Sequence, residues 1–487
     1  MYRQKIKRIV AVSFLGISFF CVFVYAYDLL FGDGIIARFS INPLSIWLGF
    51  SIPLLLIAGI ASRSKWISNG SLLLFSTIGI LFILEKLLPA VATYQAGIHD
   101  SIQRIDDVFP YSTLDTVYFK NYVPNASFRT QLRPEDGGRN ILHQINEHGM
   151  RGPSPGLKEA GEQRILLVGD SYLQATQVAY EESLGPVLSS LLPDSFSVVQ
   201  HGFPSWSPLL EWNWILRKGL SFEPNMVVLF LYNNDFFSGD AIGDNGYLPY
   251  AKFAENGEPA GFDFSQLESK YLGLKKRNPW TMMIADLQRF RLVRLTTFLL
   301  RRQLVFETLS EEKIDTYLNL PPEAFQQAYR DNNTTKDILT VMLWDYLALM
   351  RDTSQWSPDL QERVELSFKH LEGLQQSLDE RGVEFAICHI PYPWQFPGEN
   401  AVRMQEVTNW SDYVFPEGGI QQAVKTFCAS KDIPLLDLYS HTQESKTAAP
   451  ELQLYCPSDP HWTVAGHDMA AHALYNFLAA HFYPLAQ

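Results

Sequence analysis

Ser171 directly follows a short apolar run, "RILLVGD" at residues 164 to 170. A serine hydroxyl is a poor nucleophile at neutral pH, and it becomes reactive when a base lies within hydrogen-bonding reach and a third group orients that base. The run predicts a buried strand and the residues after it a helix, so Ser171 would lie at the carboxyl edge of a sheet, where α/β folds place their ligands. The position indicates a nucleophile or, alternatively, a serine that caps the helix.

A base for this serine is available near the C-terminus, in "CPSDPHWTVAGHDMAAHAL" at residues 456 to 474. His461 lies two residues after Asp459 in a proline-containing loop that precedes a predicted helix. The carboxylate could therefore contact Nδ1 of the ring while Nε2 faces Ser171. The spacing predicts a Ser-His-Asp triad. Three later histidines are expected to be helix-capping or surface residues: His467, His472 and His481.

Attack on an ester also needs hydrogen-bond donors for the developing oxyanion. Two candidates lie in loops at predicted strand ends: Gly202 in "QHGFPSW", through its backbone N–H, and Asn234 in "LYNNDF", through its side-chain amide. Each has a structural alternative. Gly202 could simply permit a tight turn, and the pair Asn233 and Asn234 could cap the loop.

The elements that must position these residues alternate between strand and helix. Short, continuous apolar runs separated by helix-length segments predict a parallel sheet buried on both faces, and hence an α/β domain. The helical segments include residues 185 to 192 and 358 to 381. The predicted strands are "RILLVGD" (164–170), "SFSVVQHG" (195–202), "MVVLFLYNND" (226–235), "VEFAICHIP" (383–391) and "IPLLDL" (433–438).

The domain organisation follows from where this alternation holds. Residues 161 to 487 are predicted to form the α/β domain, residues 96 to 160 a connector, and residues 1 to 95 a membrane anchor. The alternation fails at about residues 237 to 356, which are predicted to be a helical insertion, either a structural cap or a lid over the substrate site.

Two segments near the N-terminus, residues 9 to 27 and 44 to 61, contain no charged residue and are long enough to cross a bilayer as helices. Residues 66 to 84 are a third candidate, with a packed or interfacial helix as the alternative. Basic residues before the first segment and after the second predict cytoplasmic ends: Arg3, Lys5, Lys7, Arg8, Arg63 and Lys65. A third crossing would place the α/β domain outside the cytoplasm. Without it the domain would face the cytoplasm.

The charge balance excludes one class of partner. Because the whole chain carries −13 and residues 1 to 95 carry +5, the remainder carries −18. Nucleic-acid binding needs clustered lysine and arginine, so an acidic exported domain argues against it. The histidines lack the spacing of a zinc site and there is no phosphate-binding glycine loop, so we predict no cofactor.

Two residue types leave alternatives open. The three cysteines beyond the anchor, Cys388, Cys428 and Cys456, could include one disulfide or remain free buried thiols. Several aromatic residues could line a sugar-binding groove or belong to the core. They are Trp206, Trp356, Tyr392, Trp394, Phe396 and Trp410.

Over about residues 145 to 480 the sequence resembles the SGNH (GDSL-like) hydrolases and acyltransferases. The resemblance implies the three-layer fold of that family, with its parallel sheet, preceded here by the transmembrane helical region. "INEHGMRG" at residues 145 to 152 is similar to the lead-in found in many bacterial members. The motif matches, in the family's order, are "GDSY" at 169–172, Gly202, Asn234 with Asp235, and "SDPHWTVAGH" at 458–467.

Carried over residue by residue, the resemblance implies Ser171 as the nucleophile, His461 as the general base and Asp459 as the acid that orients it. The backbone N–H of Ser171, Gly202 and Asn234 would form the oxyanion hole. These are the residues that their own chemistry suggests, and their ordered occurrence favours catalysis at Ser171.

Two positions depart from the family pattern. Tyr232 stands where the third block usually begins with glycine, and Ser458 stands where the last block usually has aspartate. The sequence Asp459, Pro460, His461, Trp462 is similar to the Asp-x-His-Trp form of proteins that acetylate bacterial exopolysaccharides, such as the alginate O-acetylation proteins. In those proteins the motif precedes the serine, whereas here it follows.

The resemblance and the anchor together predict a membrane-bound, extracytoplasmic serine esterase or O-acyltransferase. Its substrate would be an acylated glycan or lipid of the cell envelope, and a transferase would need a membrane partner that supplies the acyl donor. The alternative is a catalytically inactive SGNH scaffold that binds or helps to assemble an exopolysaccharide.

Overall fold

The computed structural model describes residues 112–115, 119–204, 206–236, 250–254, 259–263, 349–401 and 417–483, and six helical residues between 65 and 76. The chain divides into two compact units, Met1–Pro110 with Lys276–Arg301 and Tyr111–Lys275 with Arg302–Gln487. Apart from those six residues, everything described below belongs to the second unit.

The predicted membrane segments at residues 9 to 27 and 44 to 61 lie outside the described residues, as does most of the third candidate at 66 to 84. Among the helices that are described, none combines the length and the apolar character needed to cross a membrane.

The strands and helices alternate along the second unit. The strands are β1 (Ser112–Asp115), β2 (Phe119–Tyr122), β3 (Ser127–Gln131), β4 (Asn140–Gln144), β5 (Gln163–Gly169), β6 (Phe196–Gly202), β7 (Met226–Leu231), β8 (Tyr250–Phe253), β9 (Pro259–Asp263), β10 (Glu384–His389) and β11 (Leu435–Asp437). The α-helices are α1 (Ser171–Gln174), α2 (Leu184–Leu191), α3 (Pro208–Arg217), α4 (Pro358–Asp379), α5 (Gly419–Ser430), α6 (Leu438–Ala448) and α7 (Val464–His481).

The central sheet is parallel throughout, with the strand order β11-β10-β7-β5-β6. The chain runs from β5 to the edge at β6, returns past β5 to β7, and then continues outward. The order therefore reverses between β5 and β7, and their carboxyl ends form the crevice where ligands bind in folds of this kind. All five apolar runs predicted as strands are strands of this sheet, which confirms the predicted α/β class with a parallel sheet.

Helices cover both faces of the sheet, as the burial of its strands requires. Every residue of β7 is buried. Helix α2 contacts α7, and α3 contacts α4. The predicted helix at 358 to 381 is confirmed as α4, which begins with a proline at Pro358 and with the Ser357 hydroxyl accepting a hydrogen bond from the Leu360 N–H at 3.2 Å.

The connector and the insertion contain strands that the sequence did not reveal. Strands β1 and β2 form one antiparallel hairpin, and β3 and β4 form another, closed by a 3₁₀ turn at Pro134–Asp136. In the insertion, predicted to be helical, the described residues include the hairpin β8–β9. Phe262 of this hairpin packs edge-to-face on Trp212 of α3, with ring centroids 4.8 Å apart. The rest of the insertion up to residue 348 lies outside the described residues.

The cysteines and aromatic residues left open by the sequence belong to the core. Cys388, Cys428 and Cys456 are buried free thiols. Of the aromatics proposed for a groove, Trp410 lies outside the described residues, and the others are at most 8% exposed. This burial contradicts the groove alternative for Trp206, Trp356, Tyr392, Trp394 and Phe396.

Candidate active site

Ser171 is the first residue of α1, immediately beyond the carboxyl end of β5. The cap of this helix is Asp170, whose side chain accepts a hydrogen bond from the Tyr172 N–H at 2.9 Å. The alternative role of Ser171 as a helix cap is therefore taken by its neighbour. The Ser171 hydroxyl lies 3.1 Å from Asp170 Oδ2 and is half-buried.

The structure brings Ser171, His461 and Asp459 together. Ser171 Oγ lies 2.7 Å from His461 Nε2. On the other side of the ring, Nδ1 is hydrogen-bonded to Asp459 Oδ1, which also accepts the backbone N–H of His461 at 3.0 Å. A carboxylate at Nδ1 holds the proton there and leaves Nε2 free to accept the serine proton.

The electrostatics of His461 suit a general base. Burial disfavours the charged imidazolium, but the charge and hydrogen bond of Asp459, with a smaller contribution from the charge of Asp170, outweigh it. The pKa of His461 is therefore raised above its ordinary value of 6.5. A stronger base accepts the proton of a serine hydroxyl more readily.

Gly202 lies at the same sheet edge as Ser171, because it pairs in register with Gly169 at the end of β5. A Cβ atom at Gly202 would lie 2.2 Å from the Gln174 backbone nitrogen and 2.4 Å from the Leu173 carbonyl carbon. The glycine therefore allows α1 to lie directly against the end of β6. Gly202 does not have a positive φ, so close approach is the reason for glycine here.

Asn234 follows β7 in the 3₁₀ turn Asn233–Phe236, at the same edge of the sheet. Its side chain is half-buried, and its Oδ1 atom has no hydrogen-bond partner in the described part of the chain. Asn233 is buried and turns its amide nitrogen to the sulfur of Met350 at 3.4 Å. Asn233 is thus held in the core, whereas the side chain of Asn234 is partly accessible.

Tyr232, where the family pattern has glycine, is buried in an aromatic cluster. Its ring centroid lies 4.7 Å from that of Tyr172 and 6.1 Å from that of Tyr392. The Tyr172 ring in turn lies 5.0 Å from the ring of His461. Asp235 builds the turn instead, accepting the Tyr232 N–H at 2.7 Å and donating its own N–H to the Tyr232 carbonyl. Tyr232 thus packs against Tyr172, whose ring in turn packs against His461.

Arg151 is a structural residue of the site that the sequence did not single out. Its buried guanidinium donates to the carbonyl oxygens of Gln174 at 2.9 Å and of Ala175 and Val178 at 2.5 Å. Burial lowers the pKa of Arg151 to about 10. The lead-in segment thus fixes the end of α1, where Ala175 adopts a left-handed φ of 55°.

The loop that carries Asp459 and His461 is held by further side chains. Gln177 donates to Asp459 Oδ1 at 3.4 Å. From the loop after β10, Asn400 donates to the Cys456 carbonyl at 2.8 Å. Glu399 accepts the N–H of Tyr455 at 2.8 Å and pairs with Lys446 at 2.8 Å in a buried ion pair.

His467 differs from its expected role as a capping or surface residue. It is 1% exposed and packs edge-to-face on Trp462, with ring centroids 5.3 Å apart. Burial, together with the charges of Arg151 and His461, lowers the pKa of His467 to about 3, so the ring stays neutral. His472 and His481 are exposed, as expected. No group of three His, Cys, Asp or Glu residues within the described ranges is arranged to hold a metal ion.

No protein-family model matches the sequence, and no curated protein matches it. Among solved structures, the chain is similar to an acetyl xylan esterase, AlAXEase, at 11% identity with a TM-score of 0.31, covering 64% of this chain and 98% of that one. It is similar to a lipase/acylhydrolase from Enterococcus faecalis at 11% identity with a TM-score of 0.29, covering 65% and 96%.

A member of the lipolytic protein G-D-S-L family from Veillonella parvula DSM 2008 is similar at 10% identity with a TM-score of 0.29, covering 66% of this chain and 98% of that one. Identities and TM-scores this low do not by themselves assign an activity. The geometry around Ser171 is the stronger indication of function.

Proposed function

We propose that this chain is a serine esterase or O-acyltransferase of the SGNH (GDSL-like) type that acts on acyl esters. The observation that carries the proposal is the 2.7 Å contact between Ser171 Oγ and His461 Nε2, with Asp459 on the other ring nitrogen. Asp459, His461 and Ser171 form a continuous hydrogen-bonded chain at the carboxyl edge of a parallel sheet. This chain is the arrangement that activates a serine hydroxyl for attack on a carbonyl.

The reaction proceeds in two halves. Ser171 Oγ attacks the acyl carbonyl carbon and gives its proton to His461 Nε2. As the tetrahedral intermediate collapses, the bond to the leaving alcohol breaks, and His461 returns the proton to the alcohol oxygen. Water or an acceptor hydroxyl then attacks the acyl-enzyme, its proton passes to His461, and Ser171 leaves with that proton restored.

The oxyanion of each tetrahedral intermediate needs donors on the side away from His461. The backbone N–H of Ser171, the backbone N–H of Gly202 and the side-chain amide of Asn234 are proposed for this role. All three residues lie at the carboxyl ends of the neighbouring strands β5, β6 and β7. Asn234 is half-buried, which suits a side chain that must reach a bound ester.

The proposed setting is the cell membrane, with the catalytic unit on the extracytoplasmic side. The uncharged segments near the N-terminus and the flanking basic residues support it. The substrate would be an acylated glycan or lipid of the cell envelope. A transferase would take its acyl group from a membrane partner, whereas a hydrolase needs none.

The second candidate is an inactive scaffold that binds or helps to assemble an exopolysaccharide. Tyr232, in place of the usual glycine, favours it. If the chain is such a scaffold, the Ser171→Ala variant should bind glycan as well as the wild-type protein does. No acyl adduct should then form on Ser171 of the wild-type protein.

The test uses the full-length protein with p-nitrophenyl acetate as the acyl donor. Ser171→Ala and His461→Ala should each lower turnover by about 10⁴-fold, and intact-protein mass spectrometry should detect an acetyl adduct on Ser171 of the wild-type protein. The matched controls are Ser190→Ala and His472→Ala, which alter exposed residues of α2 and α7. Equal turnover in all five folded proteins, with no adduct, would favour the scaffold.

A further inference from the structure

Asp136, in the β3–β4 hairpin of the connector, directly contacts the loop that carries Asp459 and His461. It ends the 3₁₀ turn Pro134–Asp136 between β3 and β4. Its Oδ1 atom accepts the backbone N–H of Ser458 at 2.9 Å, and its Oδ2 atom accepts the Ser458 hydroxyl. One carboxylate thus binds both donors of a residue 322 positions away in the chain.

Ser458 immediately precedes Asp459, so its position is coupled to that of the triad. The loop is short and closed on itself: Tyr455 forms a β-bridge with Trp462, and the Cys456 N–H donates to the His461 carbonyl at 2.8 Å. A displacement of Ser458 therefore displaces Asp459 and His461 with it. Ser458 is only 7% exposed, so water cannot readily replace Asp136 as its partner.

The Asp136 turn is itself fixed. The Arg133 carbonyl accepts the N–H groups of Asp136 at 3.0 Å and of Gly138 at 2.8 Å. Gly137, which follows the turn, has a φ of 94° that favours glycine. The carboxylate is thus presented to the loop from a turn with its own hydrogen bonds.

The charges around Asp136 explain why it needs both bonds. Burial raises the pKa of Asp136, as does the negative charge of Asp459, while the two hydrogen bonds from Ser458 and the charge of Arg133 oppose the shift. On balance the pKa is raised. Two carboxylates in one neighbourhood repel each other, and the donors of Ser458 hold Asp136 in place beside Asp459.

We propose that Asp136 is a positioning residue for the triad, which it serves by fixing Ser458 and, through Ser458, the orientation of Asp459 and His461. This inference rests on the function proposed above. It assigns the connector hairpin a role in catalysis. It also gives Ser458 a reason to be serine, since an aspartate there would face the carboxylate of Asp136.

The test is a double-mutant cycle on the full-length protein, measured as p-nitrophenyl acetate turnover. A displacement of about 1 Å can lower a rate by about a hundredfold, so Asp136→Ala should lower kcat by about tenfold to a hundredfold and leave KM little changed. Ser458→Ala should lower kcat less, because the backbone N–H remains. The double variant Asp136→Ala/Ser458→Ala should show no greater loss of kcat than Asp136→Ala alone, because the two residues act through one contact. Additive losses would overturn the inference.

Two further variants sharpen the cycle. Ser458→Asp should lower kcat more than Ser458→Ala does, since it places a second carboxylate against that of Asp136. Glu135→Ala removes an exposed carboxylate from the same turn, and it should retain wild-type kcat. Equal losses in Glu135→Ala and Asp136→Ala would overturn the inference by showing that any change in the hairpin has this effect.

A second readout does not depend on activity. Hydrogen exchange followed by mass spectrometry should show faster exchange of the loop around residues 455 to 463 in Asp136→Ala than in the wild-type protein. Unchanged loop exchange, or unchanged kcat, in Asp136→Ala would overturn this inference alone. Absence of turnover that depends on Ser171 in the wild-type protein would instead overturn the proposed function. If Asp136→Ala fails to fold, Ser458→Ala carries the same comparison.

Discussion

The Tyr172 hydroxyl donates a hydrogen bond to the carbonyl oxygen of Pro460 at 2.5 Å. Tyr172 follows the proposed nucleophile, Pro460 precedes the proposed base, and 288 positions separate them in the chain. This bond ties helix α1 directly to the loop that carries His461. A contact that involves neither of their side chains therefore helps to hold the proposed nucleophile beside the proposed base.

Tyr172→Phe should weaken this connection. The Pro460 carbonyl loses its donor, which should reduce the free energy of unfolding by about 1 to 2 kcal/mol, and kcat should fall by about tenfold because His461 is less firmly placed. Urea unfolding and steady-state turnover measure the two effects. The control is Tyr475→Phe, on a half-buried residue of α7. A loss of stability with unchanged kcat would show that the bond holds the loop without placing the base.

The pH dependence of catalysis follows from the raised pKa of His461. The base must be neutral, so kcat/KM should fall as the pH decreases through a value above 6.5, the ordinary pKa of the ring. Asp459→Asn removes the main group that raises this pKa and leaves burial, which lowers it. The acid limb should therefore move to lower pH, while the maximal kcat falls by roughly 10⁴-fold.

The pH–rate profile of the wild-type protein and NMR titration of the His461 imidazole in both proteins measure this shift. His472, exposed on α7, is the internal reference in the NMR titration. A pKa of His461 that rises or stays unchanged in Asp459→Asn would contradict the assignment of Asp459 as the group that faces the ring.

The central sheet could be predicted from the sequence because fully buried strands produce continuous apolar runs. The connector hairpins could not, and β4 shows why. Its burial alternates, with Ile141 and His143 inward, but His143 is polar and the outward Leu142 is an apolar residue that is 45% exposed. Because these two residues break the alternation, the sequence of β4 lacks the period of two that predicts a half-buried strand.

The candidate catalytic residues could be found because each has a distinctive chemistry and occurs in a recognisable local context. The positioning role of the residues that hold them is not visible in the sequence, although Tyr172 lies in "GDSY" and Arg151 in "INEHGMRG". Each acts through one to three hydrogen bonds with another segment of the chain, and glutamine, arginine and aspartate side chains are mostly exposed. The contacts become visible only in the fold. These residues are Asp136, Arg151, Tyr172 and Gln177.

Gln177 offers a test in which the sign of the effect is informative. Its amide nitrogen donates to Asp459 Oδ1 at 3.4 Å. Gln177→Leu removes one hydrogen bond and should lower kcat by about threefold to tenfold. Gln177→Glu adds a second carboxylate near His461, which favours the imidazolium, so the acid limb of kcat/KM should move to higher pH.

The pH–rate profiles of the two variants, recorded beside the wild type, separate these effects. The control is Gln361→Glu, on an exposed residue of α4. It changes the net charge by the same amount, and the acid limb of kcat/KM should stay at its wild-type pH. An acid limb that does not move in Gln177→Glu would show that residue 177 does not face the triad in solution.

Gly202→Ala tests whether the close contact between β6 and α1 places Ser171, the proposed nucleophile. The new Cβ would lie 2.2 Å from the Gln174 nitrogen and 2.4 Å from the Leu173 carbonyl carbon. These are backbone atoms of the helix that begins with Ser171, so relief of the clash must move that helix. We expect a loss of about 1 to 3 kcal/mol in the free energy of unfolding and a lower kcat.

Because alanine keeps the backbone N–H of residue 202, the loss of kcat would report the displacement of α1 and not the removal of an oxyanion donor. The matched control is Gly156→Ala, where a Cβ atom would meet nothing within 4 Å, and it should behave as the wild type. Urea unfolding measures the free energy of unfolding, and turnover of p-nitrophenyl acetate measures kcat. Wild-type stability and turnover in Gly202→Ala would mean that α1 shifts without cost, and that the glycine is not what places Ser171.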